Sequence, residues 1–271
     1  MRFRLKTLDF QRTQIMGVLN VTPDSFSDGW LSFTAKDAIA HGRALFAAGA
    51  DIVDVGGEST RPGAQAVSLD EECARVLWVV RALAEEGVVS IDTYKAQVAE
   101  RAIAAGAEIV NDISGGQYEP KILAVAAKQG AAMVLGHVRG RPSEMQSQAN
   151  YSDVVAEVRA ELSERVAHAR AAGIERIFID PGLGFAKTAA HNLSLLANLR
   201  EFLSLGCPIV IGASRKSFLA KITGRSEEDR ELGTAAADTA AILNGASVVR
   251  VHDVARQRDA VQVADAIRSG A

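Results

Sequence analysis

One pattern of apolar and polar positions recurs along the chain: a small-Gly-Ala helix end, then three to five apolar or β-branched residues, then a residue able to hydrogen-bond or carry charge. Its fullest copy is AAGADIVDVGGESTRPG at residues 47–63. Further copies read AAGAEIVNDISGG (104–116), KQGAAMVLGHVRG (128–140), AAGIERIFIDPGLGF (171–185), LGCPIVIGASRK (205–216) and NGASVVRVHDV (244–254). Two looser ones, TQIMGVLNVTPDS (13–25) and EEGVVSIDTYK (85–95), complete the set. The glycine suits the left-handed residue that ends a helix, and the short uninterrupted apolar run suits a strand buried on both faces. The polar residue that follows then faces a cleft.

This pattern predicts strands at 15–21, 52–55, 88–91, 109–110, 132–135, 176–179, 208–211 and 247–251. Helical spacing fills the intervals. Thr34 with Asp37 opens a helix carrying Ile39, Gly42, Leu45 and Phe46, and Ser68 with Glu71 forms a capping box for one carrying Val76, Val79 and Leu83. A further helix covers 154–172, and Leu195, Leu199, Phe202 and Leu203 give the next its buried stripe. Residues 141–152 lack apolar periodicity and read as a loop; residues 1–12 read as an N-terminal strand or hairpin lid.

Eight strands with helical crossovers predict an α/β fold, a (β/α)8 TIM barrel forming a single domain over residues 1–271. An open doubly wound sheet is the competing architecture. In a barrel all strand C-termini lie on one face, so Asn20, Asp54, Asp92, Asn111, His137, Asp180, Lys216, Arg250 and His252 converge on one mouth. A lone Asp at a strand end is more often a helix cap; the recurrence at equivalent positions is what points to a site.

Composition narrows the reading. With 48% hydrophobic and 23% charged residues the chain suits a large core, and a net charge of -3 offers no basic stripe for nucleic acid. Cys73 and Cys207 have no partner at metal spacing and read as buried reduced thiols of a cytoplasmic protein. Residues 1–10 have no apolar signal core, and no run reaches the roughly 18 apolar residues of a membrane span.

The candidate mouth sorts into two chemistries. Asp92, Asn111 and Asp180 offer flat, acceptor-rich edges for a heterocycle with ring N–H and amino donors. Lys216, Arg250, His252 and Arg61 offer donors for a phosphate or pyrophosphate, with the GGESTRPG backbone able to close over it. Other chemistries find little support: Lys187 stands where a dinucleotide loop needs its third glycine, no His-Glu-x-x-His pairing occurs, and Ser214 and Ser217 lack a nucleophile elbow.

Seven stretches carry a family resemblance: MGVLNVTPDSFSDG (16–29), DVGGESTRPGA (54–64), SIDTYK (90–95), NDISG (111–115), IDPGLGFAK (179–187), GASRKSFL (212–219) and VVRVHDV (248–254). In that order they resemble dihydropteroate synthase. The resemblance implies a barrel enzyme, a homodimer, that joins 6-hydroxymethyl-7,8-dihydropterin pyrophosphate to p-aminobenzoate, releasing pyrophosphate and 7,8-dihydropteroate. It implies that Asp92, Asn111, Asp180 and Lys216 hold the pterin ring, and that Asn20 with Mg2+, Arg250 and His252 hold the leaving pyrophosphate. Thr60, Arg61, Pro62 and Phe26 then close over the site and shape the aminobenzoate pocket beside Phe185 and Ser217. Asp92, Asp180, Lys216 and Arg250 are the residues given the catalytic roles.

Two positions depart from the family pattern. Gly136 stands where many bacterial members carry methionine, which implies a roomier pterin-pocket wall, and Ala186 stands where glycine is frequent. Either change bears on sensitivity to sulfonamides, which imitate p-aminobenzoate in this family. Two rival readings remain: a methyl-transfer module that hands a methyl group to a corrinoid partner, and a non-catalytic pterin-binding paralogue. The first does not need Arg61, Lys216 and an anion site; the second predicts a damaged one.

Overall fold

The computed structural model describes residues 5, 8, 10–22, 35–60, 63 and 65–270. Its strands are β1 (Gln14–Asn20), β2 (Ile52–Gly56), β3 (Val88–Asp92), β4 (Ile109–Asp112), β5 (Ala132–Gly136), β6 (Ile177–Asp180), β7 (Ile209–Ile211) and β8 (Ala246–Val251). They pair in chain order and close into a parallel barrel, β8 returning to β1. The open sheet is thereby excluded. Around it run α1 (Ala35–Ala47), α2 (Leu69–Leu83), α3 (Ala96–Ala105), α4 (Lys121–Gln129), α5 (Val154–Ala171), α6 (Ala189–Ala197), α7 (Ser217–Thr223), α8 (Glu231–Leu243) and α9 (Val254–Ser269). As the apolar pattern requires, Gly130 and Gly206 end their helical segments in the left-handed region, with φ of 68° and 65°.

Alternation along each strand divides the apolar residues between two cores. Val53, Val55, Ile91 and Leu135 point outward and pack in the layer between barrel and helices. Met16, Ile52, Val88, Ile109, Val134, Phe178, Val210 and Val248 cluster apart from that layer and fill the closed end of the barrel. Burial of each such side chain contributes about 1.5–3 kcal/mol. The inward positions nearer the strand C-termini are polar, so the closed end carries the stability and the other end is left for chemistry.

Several expectations need correction. Leu5 and Leu8 join the core at the closed end, and the described residues among 1–12 form no strand. The stripe assigned to one helix after β6 is broken: α6 ends at Ala197, Asn198 leaves helical geometry at φ -110°, and Leu199–Leu205 continues as a 3-10 helix with Leu203 half exposed. The loop over 141–152 holds a 3-10 turn at Met145–Gln148. Ser68 accepts from Glu71 N at 3.3 Å, but the Glu71 carboxylate pairs with Arg75 at 2.5 Å. The two-way box occurs instead between Thr188 and His191. Thr34 lies outside the described residues.

Asp238 on α8 breaks the apolar packing. It is fully buried, neither carboxylate oxygen has a hydrogen-bond partner, and burial, with Glu231 nearby, raises its pKa well above the usual range. Folded, the group keeps its proton; unfolded at neutral pH, it releases it. Stability is therefore lost as pH rises above the unfolded value of about 4. Asp238→Asn removes this linkage. Denaturant unfolding is expected to show a gain of about 1–3 kcal/mol at pH 7 that vanishes near pH 4, and a gain independent of pH would contradict this origin.

Candidate active site

Strand register builds the floor of the mouth. Asn20 pairs with Gly56, Gly56 with Asp92 and Asp92 with Asn111, so four adjacent strands end in one row. On the far side Gly136 pairs with Asp180. Gly56 opens a gap in the row: a side chain there would meet Asp92 Cβ at 3.5 Å and Asn20 Oδ1 at 3.6 Å.

Beneath that row runs a chain of hydrogen bonds. Asn111 Nδ2 donates to Asp54 Oδ2 at 2.9 Å, and Arg250 Nε donates to the same oxygen at 2.6 Å. Arg250 Nη2 donates to Asp92 Oδ2 at 2.8 Å. One guanidinium thus spans two carboxylates. Burial pushes the Asp92 carboxyl up, Arg250 pulls it back, and Asp54 adds to the rise. Burial opposes the charge on Arg250 too, but Asp54 and Asp92 overcome it and hold the guanidinium charged. Asp180 is likewise raised by burial and lowered by the Gly182 N–H, which donates to its Oδ1 at 2.7 Å, and by Lys216. Only glycine fits at 182, since a Cβ would fall 1.9 Å from the His137 carbonyl oxygen.

Above the floor lies a cavity of about 310 Å3 whose walls include Thr60, Phe185, Lys216, Ser217, Arg250 and His252. Lys216 Nζ stands 4.0 Å from the centre of the Phe185 ring, a cation–π contact, and its stem crosses Gly184. Ser214 Oγ and His252 Nδ1 are 2.9 Å apart, joining the β7 and β8 loops. Arg215, at φ 58°, turns away to Glu231 on α8 at 2.8 Å.

The GGESTRPG loop after β2 is tied down at its base. Glu58 accepts from Tyr94 Oη at 2.5 Å, from Val67 N at 3.0 Å and from Lys95 Nζ. Lys95 also reaches Glu72 Oε2 at 2.6 Å and the Val67 carbonyl at 2.6 Å. Farther along, Gly63 N donates to the Pro142 carbonyl oxygen at 3.2 Å, so this loop touches the one after β5. Sequence reasoning did not single out Glu58, Lys95 or Glu72, although Glu58 and Lys95 stand inside quoted motifs.

The structure brings Asn20, Thr60, Asp92, Phe185, Lys216, Ser217, Arg250 and His252 to the cavity. Asn111 is buried beside it through Asp54, and Asp180 ends β6 in the barrel interior, half-buried. Phe26, Arg61 and Pro62 lie outside the described residues. Two members of the expected mouth sit elsewhere. Asp54 is fully buried below the floor, and His137 is fully buried between Glu161 and Lys187, at 2.9 Å from each. The roomier wall expected at Gly136 is also absent: a Cβ there would stand 2.7 Å from Ile113 Cα, so β4–α4 backbone fills the space. Ala186, fully buried at φ 50°, occupies the left-handed region that favours glycine.

The class of this barrel is given by a family model described as "Pterin binding enzyme", which matches residues 16–252 and so covers the mouth residues from Asn20 to His252. A dihydropteroate synthase from Synechocystis is 47% identical over 95% of this chain and 91% of its own. Two solved structures of Xanthomonas albilineans dihydropteroate synthase superpose closely. The one with 4-aminobenzoic acid gives a TM-score of 0.91 at 43% identity, covering 97% of this chain and 95% of that one. The one in complex with 7,8-dihydropteroate gives 0.87 at 40%, covering 97% and 96%. The chain belongs to the dihydropteroate synthase family.

Proposed function

We propose that the protein condenses 6-hydroxymethyl-7,8-dihydropterin pyrophosphate with p-aminobenzoate, giving 7,8-dihydropteroate and pyrophosphate. The observation that carries this reading is the Asn111–Asp54–Arg250–Asp92 chain at the floor of a cavity walled by Lys216, His252 and Phe185. It supplies both chemistries the substrates need. Carboxylate and amide oxygens of Asp92, Asn111 and Asp180 accept from the ring N–H and amino groups of the pterin, with Lys216 beside them. Arg250 and His252 meet the pyrophosphate, and Thr60 lies at the aminobenzoate side with Phe185 and Ser217; for Arg61, Pro62 and Phe26 the reading rests on the family resemblance alone. The donors Lys216, Arg250 and His252 at the cavity argue against the non-catalytic paralogue, and the methyl-transfer module has no use for them.

In the reaction the bond between the pterin methylene carbon and the pyrophosphate oxygen breaks, and a bond from that carbon to the aminobenzoate nitrogen forms as the nitrogen loses a proton. Positive charge grows on the methylene and negative charge on the leaving oxygens. The half-buried carboxylate of Asp180 stabilises the first, and the Arg250 and His252 donors stabilise the second. Bond breaking runs ahead of attack in this dissociative substitution, and no covalent enzyme intermediate forms. A pterin adduct trapped on Lys216 would contradict that order.

Mg2+ fits this site as a substrate-borne ion. Asn20 offers a hard oxygen donor at the cavity wall, and among the described residues no three His, Cys, Asp or Glu side chains form a metal cage. Asn20 would hold such an ion together with the substrate it arrives on. It supplies charge neutralisation at the leaving group.

Two further properties belong to the same reading. Leu193, Ile222 and Leu232 are exposed apolar side chains on α6, α7 and α8, which contact one another, and they support a homodimer through outer helices. Among the described residues no helix is long and apolar enough to cross a membrane, and Cys73 and Cys207 are free and buried. The free thiols support a reducing compartment such as the cytoplasm; recovery from an oxidising one on fractionation would count against it.

Pyrophosphate release, measured with the pterin pyrophosphate and Mg2+, is expected to depend on p-aminobenzoate. It is expected to fall by at least about a hundredfold in Lys216→Ala and Arg250→Ala, of the order that loss of one charge-stabilising donor costs. Pterin binding without any release in the unaltered protein would favour the non-catalytic paralogue. Sedimentation is expected to give a dimer that Leu232→Glu weakens; a monomeric parent protein would refute the outer-helix interface.

A further inference from the structure

Behind the Phe185 wall lies a charged cluster that the proposed chemistry does not use. Lys187 is 4% exposed, and its Nζ stands 2.9 Å from His137 Nδ1, 2.9 Å from the Phe185 carbonyl oxygen and 3.4 Å from the His137 carbonyl oxygen. These three acceptors match the three N–H donors of an ammonium, and none is a carboxylate. His137 is held neutral: burial first, then the Lys187 charge, brings its pKa down to about 3. Its Nε2–H donates to Glu161 Oε2 at 2.9 Å, which fixes the tautomer in which Nδ1 accepts from Lys187. Burial works against the Glu161 charge, but hydrogen bonds from His137 and Arg139 bring that carboxyl down to about 2. Arg139 in turn lies over Tyr151 at 4.0 Å.

Burial pushes the Lys187 amine down to about 7, so the position is unfavourable for a cation. Well-packed apolar side chains in place of buried charge are often at least as stable. The contacts show what the lysine does instead. It holds the carbonyl of Phe185 in a turn where Gly182, Gly184 and Ala186 all have positive φ, of 71°, 85° and 50°. Such a turn has no helix or strand ladder to fix it. Gly184 N donates to Asn192 Oδ1 at 2.9 Å and Gln146 Nε2 donates to the Gly184 carbonyl at 3.0 Å, so side chains also hold the two preceding peptides. The Phe185 ring they aim lies under Lys216.

We infer that Lys187 is a positioning residue for the aminobenzoate side of the cavity, seated on the His137 ring and holding the Phe185 wall through the Phe185 carbonyl. The inference rests on the reaction proposed above. Glu161 and Arg139 act one step further out, by fixing the His137 tautomer.

The test is steady-state kinetics of the full chain with each substrate varied in turn, for the parent enzyme, Lys187→Met, Phe185→Ala and the double variant. Lys187→Met is expected to raise the KM for p-aminobenzoate about tenfold or more, leave the KM for the pterin pyrophosphate within about twofold, and add little in the Phe185→Ala background. Equal rises in both KM values, or full additivity with Phe185→Ala, would overturn the inference and leave only a structural role. If Lys187→Met does not fold, Lys187→Leu, which likewise lacks a donor, is read by the same criteria. A parent enzyme without amine-dependent release sinks the proposed reaction and this inference with it. A working parent with an unchanged variant sinks this inference alone.

Discussion

A half-buried guanidinium spanning two carboxylates is the contact on which the open end of this barrel depends. Asp54 is fully buried, and an isolated carboxylate there would cost several kcal/mol. Arg250 approaches it to 2.6 Å, and at that range and an effective dielectric of about 20 the attraction is on the order of 5 kcal/mol before desolvation. The exposed Arg12–Asp51 pair, with Arg12 53% accessible, contributes at most about 1 kcal/mol despite an equally short contact. Strand β8 is thereby joined across the barrel interior to β2 and β3, which are remote from it in sequence.

The ligand-facing chemistry grows out of that contact. Asp54 engages Asn111 Nδ2 and so leaves the amide carbonyl as the group Asn111 offers to a ring donor. Arg250 spends Nε and Nη2 on the two acids, and Nη1 is the nitrogen they do not engage. In the proposed reaction, a heterocycle on these acceptors has its leaving group beside His252 and its attacking partner beside Phe185 and Ser217. The loops over the mouth are held by other networks: Glu58, Lys95 and Glu72 under the GGESTRPG loop, and Lys187 with His137 behind the Phe185 turn.

Much of this arrangement was readable from the chain because parallel strands buried on both faces write themselves as short apolar runs. Asp92, Asn111, Asp180 and Arg250 stand in or at the end of such runs, and a closed barrel has one face for all of them. His137 was misplaced for a simple reason. Gly136 takes the inward position at the end of β5, and side chains alternate, so the next residue points into the helix layer. Asp54 sits one inward position below the mouth row, which spacing alone does not distinguish from the row itself. The break at Asn198 carries no proline or glycine, so the apolar stripe ran through it. Lys187 left no trace in periodicity; its role depends on a turn with three left-handed residues.

The central claim is that the mouth is sorted, with ring acceptors on one side and anion donors on the other. The most direct test is calorimetric binding of two half-ligands, 6-hydroxymethyl-7,8-dihydropterin without its pyrophosphate and Mg2+–pyrophosphate without its pterin, to Asp180→Asn and His252→Ala. The account predicts a crossed result: Asp180→Asn loses the pterin and keeps pyrophosphate, and His252→Ala does the reverse. If each variant weakened both ligands alike, the division of the site would be wrong.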